Sequence, residues 1–485
     1  TWNTLGLAQA DLKDADKARA ALASSRDHFR RLADDHPGRP EYRRGLARSL
    51  FNLGNLLFRD GAPGAEAASL YRQGIAIHRS LQQPPDDFKY RRDLGRALLN
   101  LGSFAIVDGG FEEAAVHLHQ AQDLFRTLSG EFPGVPDLQG SLALSLGKAG
   151  DLARARGDFP GAVASYDLAL AQYEALIANH SNVARYRREQ AQFLNNLGLA
   201  RIDADKPGEA RIAFTQALGI YADEYARTKQ PGYLPLMAST RVNRATLRGP
   251  DAAADYDDAV ASYRTLIASQ ESPALRESLA IALYNQGRFR SLEGLPDPEG
   301  PLDEAIGRLT KIVESRPESS VAQSTLGNAL ERRARIVQEA EPDRALGLLQ
   351  SALYHQQQAV AQSPRERLYR LSLLDHYEAL ARLQQRRGDL GTAAALADTL
   401  AQVDPGSAAA KLRAARILAG LSAGGDGASG GDADRAARAV AMLAEALAKG
   451  GIDRAKLAND PDFAPIAGRE DFQALLNPPK SADGP

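Results

Sequence analysis

The sequence predicts an all-α solenoid of about nine long helical hairpins with a C-terminal cap. Three observations point to it. The run Leu50-Phe51-Asn52-Leu53-Gly54 returns 48 residues later as Leu98-Leu99-Asn100-Leu101-Gly102, and two periods further on as Leu194-Asn195-Asn196-Leu197-Gly198. Leu146-Gly147-Lys148-Ala149-Gly150 fills the slot between, and self-similarity at this kind of spacing marks stacked repeats. Within each period, apolar residues recur every three or four positions, as on one face of a helix, and no run alternates with period two. The length, 485 residues, also exceeds the roughly 250–300 at which single cores stop growing, which an open array accommodates.

One unit starts at Tyr42. Leu46, Leu50, Leu53 and Leu57 form the stripe of a first helix, and Gly61 with Pro63-Gly64 breaks it. Ala67, Leu70, Ile77 and Leu81 form the stripe of a second helix, which Pro84-Pro85 ends. Neither helix can bury its stripe alone, so the hairpins must stack. The columns hold across units: Tyr42, Tyr90, Leu138 and Tyr186 open the first helix, and Gly61, Gly109, Gly157 and then Asp205 mark the turn. Leu70, Leu118, Tyr166 and Phe214 occupy the middle of the second helix, with Ile77, Phe125, Tyr173 and Tyr221 two turns on. Ala121, Ala169 and Ala217 stand where helices must approach closely. Pro37, Pro85 and Pro133 close successive units.

These columns resemble the tetratricopeptide repeat (TPR). Trp2-x-x-Leu5-Gly6 followed by Ala18 and Leu22 is similar to its signature, as are Leu98, Leu101, Gly102, Ala114, Leu118 and Ala121. Leu194, Leu197, Gly198, Ala210, Phe214 and Ala217 match again. The departure is length, since a TPR unit has about 34 residues. Both helices should therefore be longer than usual, about 19 residues or ~28 Å. The resemblance implies a right-handed superhelix whose first helices line a concave, peptide-binding groove.

Beyond residue 230 the period loosens. Tyr256 and Tyr263 continue the second-helix column after a short turn at Gly249-Pro250, and Leu275 to Gly287 keeps the first-helix interval. Gly294–Pro301 reads as an enlarged turn. Ala322, Leu326, Leu330 and Ala334 mark one further first helix, and Tyr369, Leu373, Tyr377 and Ala381 another. A helix over 407–421 either stands unpaired or pairs beyond a linker. The expected domains are an array over 1–421, a Gly/Ser-rich linker over 422–432, and a helix with capping tail over 433–485. The tail's Leu457, Phe463, Ile466, Phe472, Leu475 and Leu476 would cover the last exposed stripe. Thr1 falls inside a repeat, so the chain reads as a fragment.

Composition narrows the function. Charge is balanced, with 59 basic against 61 acidic side chains, which argues against gripping nucleic acid or an anionic membrane. Cysteine is absent, and no apolar run approaches a membrane span, so no membrane insertion and a cytoplasmic setting are expected. Gly425-x-Gly427-x-x-Gly430 and Gly420-x-Ser422-x-Gly424 match nucleotide-binding and hydrolase patterns, but both patterns need a preceding strand. His117 and His119 point some 200° apart on a helix and cannot share a metal. The Tyr-Arg-Arg triplets at Tyr42, Tyr90 and Tyr186 suggest stacking beside phosphate, yet their tyrosines belong to the core column. No catalytic residue, metal or cofactor is expected, and the chain reads as a non-enzyme.

One polar column remains. Asn52, Asn100, Lys148, Asn196, Arg244 and Asn285 lie on the flank of the apolar stripe, with Arg48, Arg96 and Gln192 one turn earlier. Arg332 continues the column. The TPR resemblance implies that such a ladder clamps a peptide's carboxylate, so the expected partner is a protein or peptide. The long unit and the Tyr-Arg-Arg openings, with the tail Asp460-Pro461-Asp462-Phe463, also resemble arrays that follow the catalytic domain of large bacterial serine/threonine kinases. An alternative function is thus a regulatory or substrate-docking arm, and a more remote one a helical enzyme with an unrecognised site.

Overall fold

A computed structural model describes residues 15–59, 64–81, 88–269, 272–364, 366–422 and 430–477. The Trp2-x-x-Leu5-Gly6 signature, Gly61, Pro63, Pro84-Pro85, the Tyr90 side chain and most of the 422–432 stretch lie outside the described residues. No β-strand occurs among the described residues, and the chain is an all-α array of consecutively packed helices. Contacts divide it into residues 1–247 and 248–485.

The first unit holds α1 (Ala15–Asp35), α2 (Pro40–Arg59), α3 (Gly64–Ser80), α4 (Phe88–Val107) and α5 (Phe111–Glu131). It continues with α6 (Pro136–Ala155), α7 (Phe159–Asn179), α8 (Ala184–Asp203), α9 (Pro207–Thr228) and α10 (Tyr233–Ala245). The hairpins are α2–α3, α4–α5, α6–α7 and α8–α9, and most of their helices run 20–22 residues, matching the length expected from the period. Prolines at the first turns of α6 and α9 start helices where no N–H partner is needed. Gly109 and Gly157 turn the chain at φ +74° and +81°, and Asp205 does the same at φ +58°. The turn column is thus a left-handed position, which glycine occupies without strain.

The glycine of the recurrent first-helix motif has a steric cause. A Cβ on Gly102, Gly150 or Gly198 would stand 2.8, 2.7 or 2.6 Å from Leu118, Tyr166 or Phe214 of the paired second helix. Leu101, Phe125, Tyr166, Tyr173, Phe214 and Tyr221 are all essentially inaccessible. The α2–α3 hairpin corrects one expected column. Gly54 faces the Tyr71 ring rather than Leu70, and His78, rather than Ile77, fills the buried place and stacks on Phe51 at 5.1 Å. Gly54 and Tyr71 are 17 residues apart, whereas Gly102 and Leu118 are 16 apart, so the connection holds one extra residue.

The second unit holds α11 (Ala252–Ser269), α12 (Pro273–Leu292), α13 (Glu299–Ser315), α14 (Ser320–Val337), α15 (Pro342–Gln362), α16 (Arg367–Arg386), α17 (Leu390–Val403) and α18 (Ala408–Leu421). After these come α19 (Gly430–Ala448), α20 (Arg454–Leu457), a 3-10 turn (Pro461–Ile466) and α21 (Glu470–Leu476). The 294–301 turn is shorter than the sequence suggests. α13 starts at Glu299 and takes Pro301 into its first turn, where a missing N–H is tolerated. Ser272, Ser319, Asp389 and Ser407 cap their helices by accepting a backbone N–H. The helix left open by the sequence, α18, packs on α19. Leu457, Phe463, Ile466 and Phe472 are buried in the same core as α18, and Arg416 and Arg382 pair with Asp460 and Asp462 at 2.8 and 3.0 Å.

Successive first helices touch along each unit: α2 with α4, α4 with α6, α6 with α8 and α8 with α10, then α12 with α14, α14 with α16 and α16 with α18. Successive second helices make no comparable contact among the described residues. Within each unit the first helices therefore line the inner, more tightly curved face. No described helix is long and apolar enough to cross a membrane.

Candidate functional site

The inner face of the first unit holds a cavity of about 790 Å³. α2 contributes Arg48, Asn52 and Asn55, α4 contributes Arg92, Asp93, Arg96 and Asn100, α6 contributes Gly140, Ser141 and Leu144, and α8 contributes Arg185 and Glu189. Residues from four successive first helices meet here because the 48-residue period repeats their orientation. Four of the polar positions marked in the sequence, Arg48, Asn52, Arg96 and Asn100, come together in its lining.

The cavity is rich in positive charge. Asp93 is shared between Arg92, at 3.0 Å, and Arg48, at 3.6 Å. Arg185 reaches Asp137 at 3.0 Å and Glu189 at 3.6 Å. Burial raises the Glu189 carboxyl above its ordinary range, against the pull of Arg185. Arg96 is open to solvent but crowded by protein, and desolvation, helped by Arg92 and Arg185 and opposed by Asp93 and Asp137, lowers its pKa.

The other ladder positions lie in an adjacent network. Asp151 accepts from the Tyr166 hydroxyl at 2.7 Å and from Asn196 Nδ2 at 3.1 Å, and it pairs with Lys148 at 2.8 Å. The same arrangement occurs about 96 residues earlier, where Asn55 accepts from the Tyr71 hydroxyl and from Asn100 Nδ2, the latter at 2.8 Å. Asn100 and Asn196 thus bridge neighbouring hairpins as well as facing the inner surface. One position before the ladder, Asn243 donates to Asn195 Oδ1 at 3.0 Å. Gln192 is exposed, Arg244 donates to Thr215 at 3.2 Å, and Asn285 is half-buried on α12 of the second unit. Burial, reinforced by the Asp151 charge, pushes the Tyr166 hydroxyl far above the tyrosine range.

Sequence reasoning missed Asn55, Asp93, Arg92, Asp151, Arg185 and Glu189. A signal existed for one pair of them: Asn55 and Asp151 stand three residues after ladder positions, one helical turn along. The Tyr-Arg-Arg triplets separate by role, since Arg92 enters the cavity while Arg91 and Arg187 tie their helices to Glu131 and Glu224. His117 and His119 face Glu113 and Asp123, and no group of three or more metal-binding side chains occurs among the described residues.

A family model described as tetratricopeptide repeat matches residues 251–290, which span α11 and most of α12. No curated protein matches the chain. Among solved structures it is similar to BtubC (BKLC) from P. vanneervenii, at 18% identity over 62% of this chain and 92% of that one, with a TM-score of 0.29. It is also similar to the C-terminal part of a TPR repeat-containing protein from Cytophaga hutchinsonii, at 14% identity over 63% and 95%, with a TM-score of 0.34. The human IFIT1 dimer with m7Gppp-AAAA aligns at 14% identity over 88% and 87%, with a TM-score of 0.39.

Proposed function

We propose that the chain is a protein-binding scaffold whose first unit holds an extended peptide segment along its inner face. The observation that supports this is the cavity itself, where ladder side chains from successive hairpins converge on one open space. Asparagines there can donate to and accept from a peptide backbone, and arginines can pair with acidic side chains or a terminal carboxylate. Lys148, Asn196, Gln192 and Arg244 would extend the same track, and Asn285 would serve a separate stretch on the second unit. A cysteine-free chain fits a cytoplasmic setting.

Binding from a lysate or a peptide array should weaken on changing Arg48 and Gln192 together to alanine. These side chains are exposed, so the helices should persist. Changing Val116 and Ile212, exposed on second helices, to serine should leave binding intact. The opposite pattern would move the site to the outer face. The long unit, the Tyr-Arg-Arg openings and the Asp460-Pro461-Asp462-Phe463 tail support a narrower reading as the regulatory or substrate-docking arm of a multidomain serine/threonine kinase. A gene lacking a kinase glycine-rich loop and catalytic-loop Asp would remove that reading.

A further inference from the structure

We infer that the arginine cavity between α2, α4, α6 and α8 recognises a phosphorylated side chain of the bound peptide. The inference rests on the scaffold reading above and adds the chemistry of the anchoring group. Four guanidiniums, Arg48, Arg92, Arg96 and Arg185, line the cavity against two carboxylates, Asp93 and Glu189, an excess of two positive charges. Both carboxylates are already engaged, Asp93 by two arginines and Glu189 by Arg185, which itself leans on Asp137. Arg96 forms no ion pair or hydrogen bond among the described residues, and burial with the Arg92 and Arg185 charges outweighs the pull of Asp93 and Asp137 on it. A charge held in this way favours the arrival of an anion.

The geometry selects the kind of anion. The guanidiniums reach the cavity from three helices, α2, α4 and α8. A planar carboxylate presents its two oxygens in one plane, which suits a single arginine fork. A phosphate monoester presents three acceptor oxygens in a tetrahedral array and carries about −1.5 to −2 charge near neutrality. A nucleic-acid phosphate would be expected beside exposed rings for base stacking. Among the described residues, the only aromatic side chain in the lining is Phe51, which is buried against His78. The observations therefore favour a phosphopeptide.

The test uses the full chain and three fluorescent pools of random peptides, with a fixed central phosphoserine, glutamate or serine. The phosphoserine pool should bind at least tenfold more tightly than the glutamate pool. Arg96→Gln should abolish that preference, the phosphoserine pool falling at least tenfold to the level of the serine pool, and Arg48→Gln should act in the same direction, whereas Val116→Ser on the outer face should leave all three pools unchanged. Helical dichroism of each variant checks the fold. Equal binding of all pools, still lost in the Arg48/Gln192 double variant, would overturn the phosphate inference and leave the scaffold reading standing. Binding of inorganic phosphate without any peptide pool would overturn both. Tighter binding of a 5′-phosphorylated RNA oligonucleotide would also overturn the inference.

Discussion

In the first unit the interior of a hairpin is a large side chain seated on a glycine: Tyr71 on Gly54, Leu118 on Gly102, Tyr166 on Gly150 and Phe214 on Gly198. In the second unit the stretch α14–α16 is built differently and buries Gln323, Glu331, Arg333, Gln356 and His376. There Gly327 opposes three polar atoms, the Ala352 carbonyl oxygen, His376 Nε2 and Gln356 Oε1, instead of apolar carbons. Gln356 Nε2 donates to the Tyr369 carbonyl at 2.8 Å, while neither His376 ring nitrogen has a hydrogen-bond partner among the described residues. The same hairpin architecture therefore has one interior governed by shape and another governed by polar groups. Perturbations of volume should act most on the first, and changes of protonation on the second.

The largest expected effect is Leu101→Asp. Leu101 is 1% exposed in the core of the first unit, and an aspartate there would be a buried charge without a partner. A loss above about 4 kcal/mol is expected. Coupling between neighbouring hairpins predicts that hydrogen-exchange protection falls most in α4 and α5 and less with distance. Equal loss at Ala18 and Leu418 would break the picture of local coupling.

Acid should affect the two interiors in opposite directions. Burial lowers His376 from its ordinary 6.5 to about 4. Between those values the unfolded chain binds a proton that the folded chain excludes, so stability is full above 6.5 and declines as pH falls toward 4. The gap corresponds to about 3 kcal/mol. Glu189 in the first unit has the reverse sign, because burial raises its carboxyl. Its folded form takes up a proton first, so that group adds stability as pH falls through its raised value toward 4.5. Exchange protection measured from pH 6.5 to 5 should fall in α14–α16 and hold or rise in α8, and His376→Leu should flatten the first response. Protection in α14–α16 that does not change with pH would remove the protonation account.

The two kinds of interior also explain what could be read from the sequence. Rings and glycines at a 48-residue spacing are visible without coordinates, which is why the first-unit helices, their turns and their lengths were legible. The register of Tyr71 and His78 was not, because one added residue in a connection leaves both periodicities intact. Arg92 and Arg185 were hidden for another reason: they stand outside the ladder column, and only the packing of α2, α4, α6 and α8 brings them together. The polar interior of α14–α16 was obscured because Gln356 and His376 read as surface residues until the helices around them are placed. The pairing of α18 with α19 depended on contacts across a stretch whose composition specifies no path.

Glycine substitutions sharpen the contrast at a smaller scale. A Cβ on Gly150 would stand 2.7 Å from the Tyr166 ring, so Gly150→Ala should destabilise the first unit by about 1–3 kcal/mol through overpacking. Gly347 on α15 has nothing within 4 Å of that position. Gly347→Ala should therefore stabilise the second unit by about 0.5–1 kcal/mol, since a helix interior favours alanine. Local exchange or urea midpoints would show the opposite signs, and a shared sign would mean that the glycine seats are not what distinguishes the interiors.

The smallest expected effects come from two turns that carry a left-handed residue other than glycine. Asp205 sits at φ +58° in the first unit and Arg248 at φ +51° in the second. A side chain in this region is disfavoured by contact with the following carbonyl, by about 1–2 kcal/mol for most residues and less for aspartate. Asp205 is exposed and its carboxylate makes no hydrogen bond or ion pair among the described residues, so Asp205→Gly should relieve strain without losing a contact. The gain is reduced by the greater freedom of glycine in the unfolded chain, leaving about 0.5 kcal/mol. Arg248 differs because it pairs with Glu293 across its hairpin. Arg248→Gly relieves more strain but removes an exposed ion pair worth up to about 1 kcal/mol, so the net change should be near zero. High salt provides the discriminating condition: it weakens the Arg248–Glu293 pair in the parent protein, so the benefit of Arg248→Gly should emerge there. The benefit of Asp205→Gly should be the same at low and high salt. A salt-sensitive Asp205→Gly would instead show that the aspartate contributes through its charge and not through its backbone conformation.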